Sequence, residues 1–282
     1  MVSFWTAQSS EFLLYLCCMS DLKLSILPKD LFLRYSEVMN FDLVKCLEKA
    51  QEFDMPVDYF QFYKSVSSVY SSKIEGENIE FDSFFKHKFL NVRFNPDYTQ
   101  RADDLYGAYE MIDDAELNEE NLKKAHKLIT SNILPLNHRG VYRNNPMYVI
   151  GDDDRIDYVA ASQMKLASEM DTLFKDIQLL LAAELSIEEV FFYAPLIHLV
   201  FVKIHPFQDG NGRTARLLEK WFFLQKLGPK ATGIQLEKNY YTHLRDYYNN
   251  LRKIGLEYES LDYNLALDFV LMTANGLCSA KR

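Results

Sequence analysis

The sequence predicts an all-α protein, a helical bundle with one small β-hairpin. Apolar residues recur at helical spacing through most of the chain, whereas only one segment has the pattern of paired strands. With 282 residues, of which 48% are hydrophobic, the chain is long enough to bury a sizeable core. We expect residues 1–60 to form an N-terminal helical extension and residues 61–282 to form the main domain.

Several segments away from the centre of the chain carry local signals. FDLVKCLEKAQEF has apolar residues at helical spacing, and NEENLKKAHKLI opens at Asn118 with acidic residues in its first turn. In NPMYVIGDDDRIDYVAA, residues 147–150 and 156–159 flank the turn GDDD and are expected to pair as a hairpin. The chain beyond Tyr258 has room for about one more helix.

Two long helices are predicted on either side of the segment HPFQDGNGRTAR. The first, SIEEVFFYAPLIHLVFVKI, opens with a capping box, because Ser186 is followed three residues later by Glu189. The second, RTARLLEKWFFLQKLGP, is apolar on nearly every face, as in a buried helix, and Gly228 with Pro229 ends it. The segment between them is therefore expected to be a loop.

Charge and cysteine usage limit the classes of function. A net charge of −9 argues against a protein whose main function is to bind nucleic acid. Cys17, Cys18, Cys46 and Cys278 lack metal-ligand spacing, so we expect reduced thiols and a cytoplasmic location. The apolar run FLLYLCCM is far shorter than the ~20 residues of a membrane span and lacks the basic flank of a signal peptide. No membrane partner is expected.

The loop HPFQDGNGRTAR has the residues of an anion site. Its glycines permit close backbone approach, and the N–H groups at the start of the next helix point outward for phosphate oxygens. Arg213 and Arg216 lie three apart in that first turn, where cations oppose the helix dipole, so a counter-anion such as polyphosphate is expected. DG and NG are also strong turn dipeptides, but a plain turn leaves the arginines unexplained.

Two further residues of the loop suggest metal binding and base catalysis. Asp209 offers a hard oxygen ligand for Mg²⁺, with Mn²⁺ as the alternative ion, which one or two carboxylates usually hold together with phosphates and water. His205 has an ordinary pKa near 6.5 and can take a proton from an attacking hydroxyl at neutral pH. His126 and His198 are interpreted as structural.

The segment HPFQDGNGRTAR resembles the signature of Fic proteins, which transfer a nucleoside monophosphate, usually AMP from ATP, to a hydroxyl side chain of a target protein. The resemblance implies that His205 is the base on the target hydroxyl, that Asp209 is the Mg²⁺ ligand and that Phe207 anchors the loop. It also implies a set of ATP-binding residues: Gly210, Asn211, Gly212, Arg213, Thr214 and Arg216.

The same resemblance implies an all-helical Fic fold with a hairpin flap over the active site. Residues 145–159 are similar to that flap, which docks the backbone of a target protein by strand addition. The stretch HLRDYYNNL is similar to the helix beside the adenine pocket, where Tyr248 is the expected contact. The main domain is thus expected to be a Fic domain that ends in C-terminal helices.

A second motif, SSKIEG, resembles the inhibitory helix of Fic proteins that carry their own brake. The helix is expected over residues 62–76, with Ser71, Glu75 and Gly76 as its inhibitory residues. Glu75 is expected to pair with Arg216 and so to allow ATP only a skewed pose. The alternative is an ordinary helix end, with Gly76 as its cap.

Three functions follow from these patterns. The first is an autoinhibited protein adenylyltransferase that uses ATP and Mg²⁺ and modifies Ser, Thr or Tyr in a target or in itself. The second is a de-AMPylase in which Glu75 positions a hydrolytic water. The third is a non-catalytic module that binds ATP and presents its hairpin to a partner. ATP and a target protein are the expected partners, and a homodimer is an open alternative.

Overall fold

The computed structural model describes residues 22–50, 58–94, 96–151 and 154–279. Within them the chain forms twelve α-helices and one two-stranded antiparallel sheet, which confirms the predicted class. The helices are α1 (Leu31–Val38), α2 (Leu43–Ala50), α3 (Tyr59–Ile74), α4 (Phe81–Leu90), α5 (Pro96–Asp114), α6 (Glu119–Ile129), α7 (Leu166–Ala182), α8 (Ile187–Ile204), α9 (Asn211–Leu227), α10 (Leu236–Thr242), α11 (Leu244–Lys253) and α12 (Leu267–Ser279). The strands are β1 (Tyr148–Ile150) and β2 (Ile156–Val159).

Helices α8 and α9 form the centre of the core, and the motif loop joins them. The capping box at the start of α8 is present: the Ser186 hydroxyl accepts from the N–H of Glu189 at 3.2 Å, and the Glu189 carboxylate accepts from the N–H of Ser186 at 2.7 Å. Helix α9 is buried along most of its length and ends before Gly228, whose φ is 73°. The core therefore fixes both ends of the loop.

The other predicted helices are also present. Asn118 begins α6, and its Oδ1 accepts from the N–H of Asn121 at 2.9 Å. Helix α2 occupies the described part of FDLVKCLEKAQEF, whose last residues, 51–53, lie outside the described residues. Helix α12 is the one expected beyond Tyr258.

The predicted hairpin lies between α6 and α7. Tyr148 pairs with Val159 and Val149 pairs with Tyr158, while residues 152 and 153 of the turn lie outside the described residues. The buried Tyr158 donates to the carbonyl of Lys203 at 2.8 Å, which fixes the hairpin against the end of α8. On the outer side of β2, the N–H of Val159 donates to the carbonyl of Leu256 at 2.8 Å.

The described part of the N-terminal extension packs on the main domain. The Asp176 carboxylate, on α7, accepts from the backbone N–H groups of Ser25, Ile26 and Leu27 at 2.8–2.9 Å. Leu27 and the apolar faces of α1 and α2 belong to the same hydrophobic core as α8 and α9. Residues 22–50 and the main domain thus share one core.

The expectation of reduced thiols is wrong for Cys46 and Cys278, whose sulfur atoms form a disulfide. The bond joins α2 to the end of α12, across 232 residues of sequence. Cysteine spacing could not reveal this pair, because the contact depends on how α2 packs against α12. Cysteine usage therefore gives no support to the predicted cytoplasmic location. Cys17 and Cys18 lie outside the described residues.

No helix in the described part of the chain combines the length and the apolar character that crossing a bilayer requires. The apolar run FLLYLCCM lies outside the described residues. The absence of a membrane partner stays a prediction.

Candidate active site

The side chain of Asn211 closes the motif loop. Its Oδ1 accepts from the backbone N–H of Phe207 and its Nδ2 donates to the Phe207 carbonyl, both at 2.9 Å. The Phe207 ring is fully buried in the core. His205 and Gly210 have φ of 53° and 79°, so the chain turns sharply at both ends of the loop.

The two glycines of the motif allow close approach by neighbouring groups. A Cβ on Gly210 would lie 2.8 Å from Cγ2 of Thr130. A Cβ on Gly212 would lie 2.6 Å from Oε1 of Glu75 and 3.2 Å from Nη1 of Arg216. The Glu75 carboxylate thus lies against the first turn of α9, where backbone N–H groups favour an anion.

The end of α3 brings Glu75 to this position. Gly76 has φ of 84°, and the N–H groups of Gly76 and Glu77 donate to the carbonyls of Lys73 and Ser72, both at 3.1 Å. This pair of hydrogen bonds is the Schellman motif that ends many helices. The helix end expected at Gly76 is therefore present, and it directs the side chain of Glu75 toward α9.

The guanidinium of Arg216 is buried and held by residues of the SSKIEG motif. Its Nη2 lies 2.6 Å from Oε1 of Glu75, and its Nε donates to the Ser71 hydroxyl at 2.8 Å. Burial acts to raise the pKa of Glu75, but the charges of Arg216 and Arg213 outweigh it and hold that pKa below its ordinary value. The structure thus brings Ser71, Glu75 and Arg216 together as a charged, hydrogen-bonded group.

Arg213 is buried without enough acceptors. Only 5% of the residue is exposed, and its Nε and Nη1 have no hydrogen-bond partner among the described residues. Its Nη2 lies 3.9 Å from Oε1 of Glu77, a carboxylate that Arg101 already contacts at 2.5 Å. Because an unsatisfied buried donor costs about 1–3 kcal/mol, and more when charged, the site fits an anion that supplies acceptors.

His205 has a neutral imidazole with a free lone pair. Its Nδ1 lies 3.2 Å from the Val202 carbonyl, which can only accept, so Nδ1 carries the proton and the lone pair is on Nε2. Burial lowers the pKa of His205 to about 4. The imidazole is therefore unprotonated at neutral pH.

Asp209 can serve as a single metal ligand. Its Oδ1 accepts from the N–H of Gly210 at 2.5 Å, and the side chain lies at the exposed edge of the loop. No cluster of three His, Cys, Asp or Glu side chains suited to a metal occurs within the described residues. Mg²⁺ fits such a place, because it is commonly held by one carboxylate with phosphates and water, and Mn²⁺ accepts the same oxygen ligands.

Comparison with known proteins identifies the family. Residues 116–223, which contain the whole motif loop, match the family described as "Fic/DOC family". Residues 116–223 are thus a Fic domain. A protein of Nematostella vectensis named "Protein adenylyltransferase Fic" is 31% identical over 126 residues, which are 44% of this chain and 27% of the relative. A Drosophila erecta protein of the same name is 26% identical over 133 residues, 47% of this chain and 25% of the relative. The chain spans about a quarter of the length of these relatives.

Solved structures show the same fold. A Fic family protein from Desulfovibrio desulfuricans superposes with a TM-score of 0.70 and 17% identity, over 90% of this chain and 73% of that chain. A Fic domain containing signaling protein from Bacteroides thetaiotaomicron gives a TM-score of 0.66 and 21% identity, over 84% of this chain and 91% of that chain. The predicted Fic fold is confirmed.

Two of the predicted ATP-binding residues make internal contacts. The Thr214 hydroxyl donates to the Gly210 carbonyl at 2.8 Å, which tightens the first turn of α9. Tyr248, on α11, donates to the carbonyl of Ile74 at 3.2 Å, so it lies beside the end of α3. The adenine contact of Tyr248 stays a prediction.

The neighbouring tyrosine, Tyr247, is a site residue that the sequence did not identify. Its hydroxyl lies 3.4 Å from Nη1 of Arg216, and the residue is almost fully buried. Adjacent tyrosines on one helix look alike in sequence, and only the rotation of α11 decides which of them faces the motif.

His126 supports the loop of the Fic domain from behind. Its ring stacks on Phe207 with 3.6 Å between ring centres, and its Nε2 lies 2.9 Å from the Asp209 carbonyl. The Gly140 N–H donates to Nδ1 at 2.8 Å, so Nε2 carries the proton that bonds to Asp209. The role of His126 is therefore to position the loop. In the sequence, this role was indicated only by the place of His126 on the apolar face of α6.

Arg143 ties the flap of the Fic domain to the motif loop. Its buried guanidinium donates to the carbonyl of His205 at 2.7 Å and to those of Asn145 and Ala161 at 2.6 Å. Asn145 and Ala161 flank the hairpin, so one side chain fixes both ends of the flap relative to His205. Sequence reasoning missed this residue, because its partners are backbone carbonyls, which leave no pattern of side chains in the sequence.

Proposed function

We propose that this protein is an autoinhibited protein adenylyltransferase. It transfers AMP from ATP to a hydroxyl side chain of a target protein or of itself and releases pyrophosphate. The observation that carries the proposal is the first turn of α9, where an internal carboxylate occupies one guanidinium and a second buried guanidinium has unpaired donors. The names of the curated relatives support the same reaction.

The phosphates of ATP are bound mainly by two arginines. Each charge-assisted hydrogen bond from Arg213 or Arg216 contributes about 1.5–3 kcal/mol, whereas the helix dipole contributes roughly 0.3–2 kcal/mol to a bound anion. The backbone N–H groups of Asn211 and Gly212 therefore orient the polyphosphate, and the arginines hold its β- and γ-phosphates.

His205 drives the transfer step. Its Nε2 takes the proton of the target hydroxyl, and the freed oxygen forms a bond to the α-phosphorus of ATP. The bond between the α-phosphorus and the oxygen that bridges to the β-phosphate breaks, and that electron pair leaves with pyrophosphate. Mg²⁺ at Asp209, or Mn²⁺ in its place, supplies charge neutralisation of the phosphate oxygens when bound.

Autoinhibition follows from the contact between Glu75 and Arg216. While the carboxylate occupies Nη2 of Arg216, the γ-phosphate has to bind elsewhere, and the triphosphate takes a pose that is wrong for attack. Ser71 and Gly76 fix the end of the helix that carries Glu75. A brake of this kind is released when α3 shifts or when Glu75 is removed.

The target protein docks along the free side of the flap. The outer edge of β2 is already hydrogen-bonded, because the N–H of Val159 donates to the carbonyl of Leu256. Strand β1 presents the exposed side chains of Tyr148 and Ile150. An extended target segment added to β1 brings its hydroxyl near His205, because Arg143 holds the flap to that residue.

A second candidate function is removal of AMP from a modified protein. Its support is the low pKa of Glu75, which makes the carboxylate an ionised group able to orient a water molecule near the α-phosphate. Incubation of the wild-type protein with a previously modified target separates the two functions. Release of free AMP indicates hydrolysis, and a stable modification indicates transfer alone.

Labelling with radioactive ATP tests the proposed function. The Glu75→Gly variant is incubated with Mg²⁺, cell lysate and ATP labelled at either the α- or the γ-phosphate, and the label in protein is counted above that of the same lysate without the variant, because kinases of the lysate transfer γ-phosphate themselves. Label from the α-phosphate should enter protein, and label from the γ-phosphate should not. Adding His205→Ala should abolish transfer while ATP binding remains, whereas the exposed His138→Ala should have no effect. Incorporation from the γ-phosphate would overturn AMP transfer.

A further inference from the structure

A chain of buried polar side chains runs from Arg216 into the core between α8, α9 and α11. Arg216 Nη1 lies 3.4 Å from the Tyr247 hydroxyl, which lies 3.0 Å from Nε2 of His198. His198 Nδ1 in turn lies 2.7 Å from Oε2 of Glu219. All four residues are at most 1% exposed, so no solvent competes for these contacts.

The two ends of the chain fix the direction of its hydrogen bonds. A guanidinium only donates and a carboxylate only accepts. Tyr247 must therefore accept from Arg216 and donate to His198, and His198 must carry its proton on Nδ1 and donate to Glu219. Burial lowers the pKa of His198, which keeps the ring in the neutral form that this direction requires.

The partners of Arg216 belong to two different parts of the fold. Ser71 and Glu75, which bind its Nε and Nη2, lie on or at the end of α3. A displacement of α3 loosens both of them together. Tyr247 binds Nη1 from α11, and its hydroxyl is supported by His198 of the core and not by a residue of α3.

We propose that His198 and Glu219 are positioning residues that act through Tyr247 to hold the Arg216 guanidinium in place for the terminal phosphate of a nucleoside triphosphate once Glu75 withdraws. This inference rests on the proposed function, since it assumes that Arg216 receives the γ-phosphate. Tyr247 orients Nη1, and the His198–Glu219 pair orients the Tyr247 hydroxyl.

A matched pair of tyrosines separates positioning from a general contribution to stability. Tyr240 also donates a buried hydroxyl to Glu219, at 2.9 Å, and lies outside the chain that leads to Arg216. Tyr247→Phe and Tyr240→Phe each remove one buried hydroxyl from the same network. Both variants are expected to lower thermal stability, but only Tyr247→Phe breaks the link to Arg216.

The test uses the Glu75→Gly protein as the parent and compares dissociation constants for ATP and ADP. Tyr247→Phe should weaken ATP binding about tenfold, equivalent to about 1.4 kcal/mol, with a much smaller effect on ADP, which lacks the γ-phosphate. Tyr240→Phe should leave the ratio of the two constants unchanged. His198→Gln, whose amide can donate to Glu219 and accept from Tyr247, should retain the ratio, whereas His198→Leu should lose it.

Equal ratios for Tyr247→Phe and Tyr240→Phe would overturn the inference while leaving the proposed function intact. A parent that binds no ATP would overturn the proposed function and this inference with it. The tautomer of His198 is a readout without nucleotide: ¹⁵N NMR of the wild-type imidazole should show the proton on Nδ1. A proton on Nε2 would contradict the direction of the chain.

Discussion

Oε1 of Glu75 lies 2.6 Å from Nη2 of Arg216, and this ion pair connects the end of α3 to a helix that is 141 residues further along the chain. The arginine is 1% exposed and the glutamate 24% exposed, so the cation is the more deeply buried partner. Removing one partner of a buried pair leaves the other uncompensated, at about 3–5 kcal/mol. Under the proposed function, an incoming γ-phosphate replaces the lost charge, so we expect loss of Glu75 to strengthen nucleotide binding.

Two replacements of Glu75 should activate the protein to different extents. Glu75→Gly removes both the charge and the side chain that covers Gly212, and we expect initial rates of AMP transfer to rise on the order of 100-fold. Glu75→Gln keeps the side chain and removes the charge, so its rate should lie between the two. Transfer rates are measured with ATP labelled at the α-phosphate.

The control for this series is Glu80→Gln. Glu80 lies beyond the end of α3, its side chain is exposed, and it forms an ion pair with Lys73 of α3. That pair is worth less than about 1 kcal/mol, so the transfer rate should stay at the wild-type level. Equal rates of AMP transfer for Glu75→Gly and the wild type would show that Glu75 does not inhibit the protein.

Local sequence signals account for most of the fold and for the motif loop. The capping box at Ser186 and Glu189, the glycine stop at Gly228 and the hairpin around GDDD are each encoded within a few residues, and the structure has them all. Helix termini depend on neighbouring backbone groups, which is why short patterns predict them.

Contacts between distant segments could not be predicted in the same way. The Cys46–Cys278 bond and the choice of Tyr247 over Tyr248 beside Arg216 depend on how whole helices pack. The pairing of Glu75 with Arg216 was anticipated only through the resemblance to Fic proteins. Periodicity shows which face of a helix is buried and leaves its neighbour undetermined.

Arg143→Lys should loosen the flap and slow the transfer reaction. The guanidinium donates to four carbonyls in a fixed fork, three of them at 2.6–2.7 Å, and a single ammonium nitrogen cannot reach all of them. We expect a loss of about 2–3 kcal/mol in unfolding free energy and faster hydrogen exchange in β1 and β2. Urea denaturation and hydrogen-exchange mass spectrometry measure the two effects.

A second arginine in the same region provides the comparison. Arg139 donates through Nε to a single carbonyl, that of Leu134, at 2.6 Å. Arg139→Lys should therefore change the exchange of the hairpin much less than Arg143→Lys. Indistinguishable exchange in the two variants would show that Arg143 does not hold the flap.

Reduction of the Cys46–Cys278 disulfide should destabilise the fold. The bond closes a loop of 232 residues, and a long loop gains the most unfolded-state entropy when it is released. We expect a loss of about 2–5 kcal/mol in unfolding free energy when dithiothreitol is added. The Cys46→Ser/Cys278→Ser double variant should start at the reduced value and show no response to dithiothreitol. A double variant as stable as the oxidised wild type would contradict this prediction.

Acid should destabilise the protein partly through His205. Burial lowers the pKa of the folded imidazole to about 4, below the ordinary value of 6.5 that applies in the unfolded chain. Between these values the unfolded chain binds a proton that the folded chain does not, so the unfolding free energy falls as the pH drops from 6.5 toward 4. Above pH 6.5 the unfolding free energy no longer changes with protonation of His205. Between pH 6.5 and 4 it changes by at most about 1.4 kcal/mol per pH unit, the limit for one proton. Urea denaturation at pH 7, 6, 5 and 4.5 should give a shallower slope for His205→Ala than for the wild type. Parallel curves for the wild type and His205→Ala would mean that the imidazole is as easily protonated in the folded protein as in water.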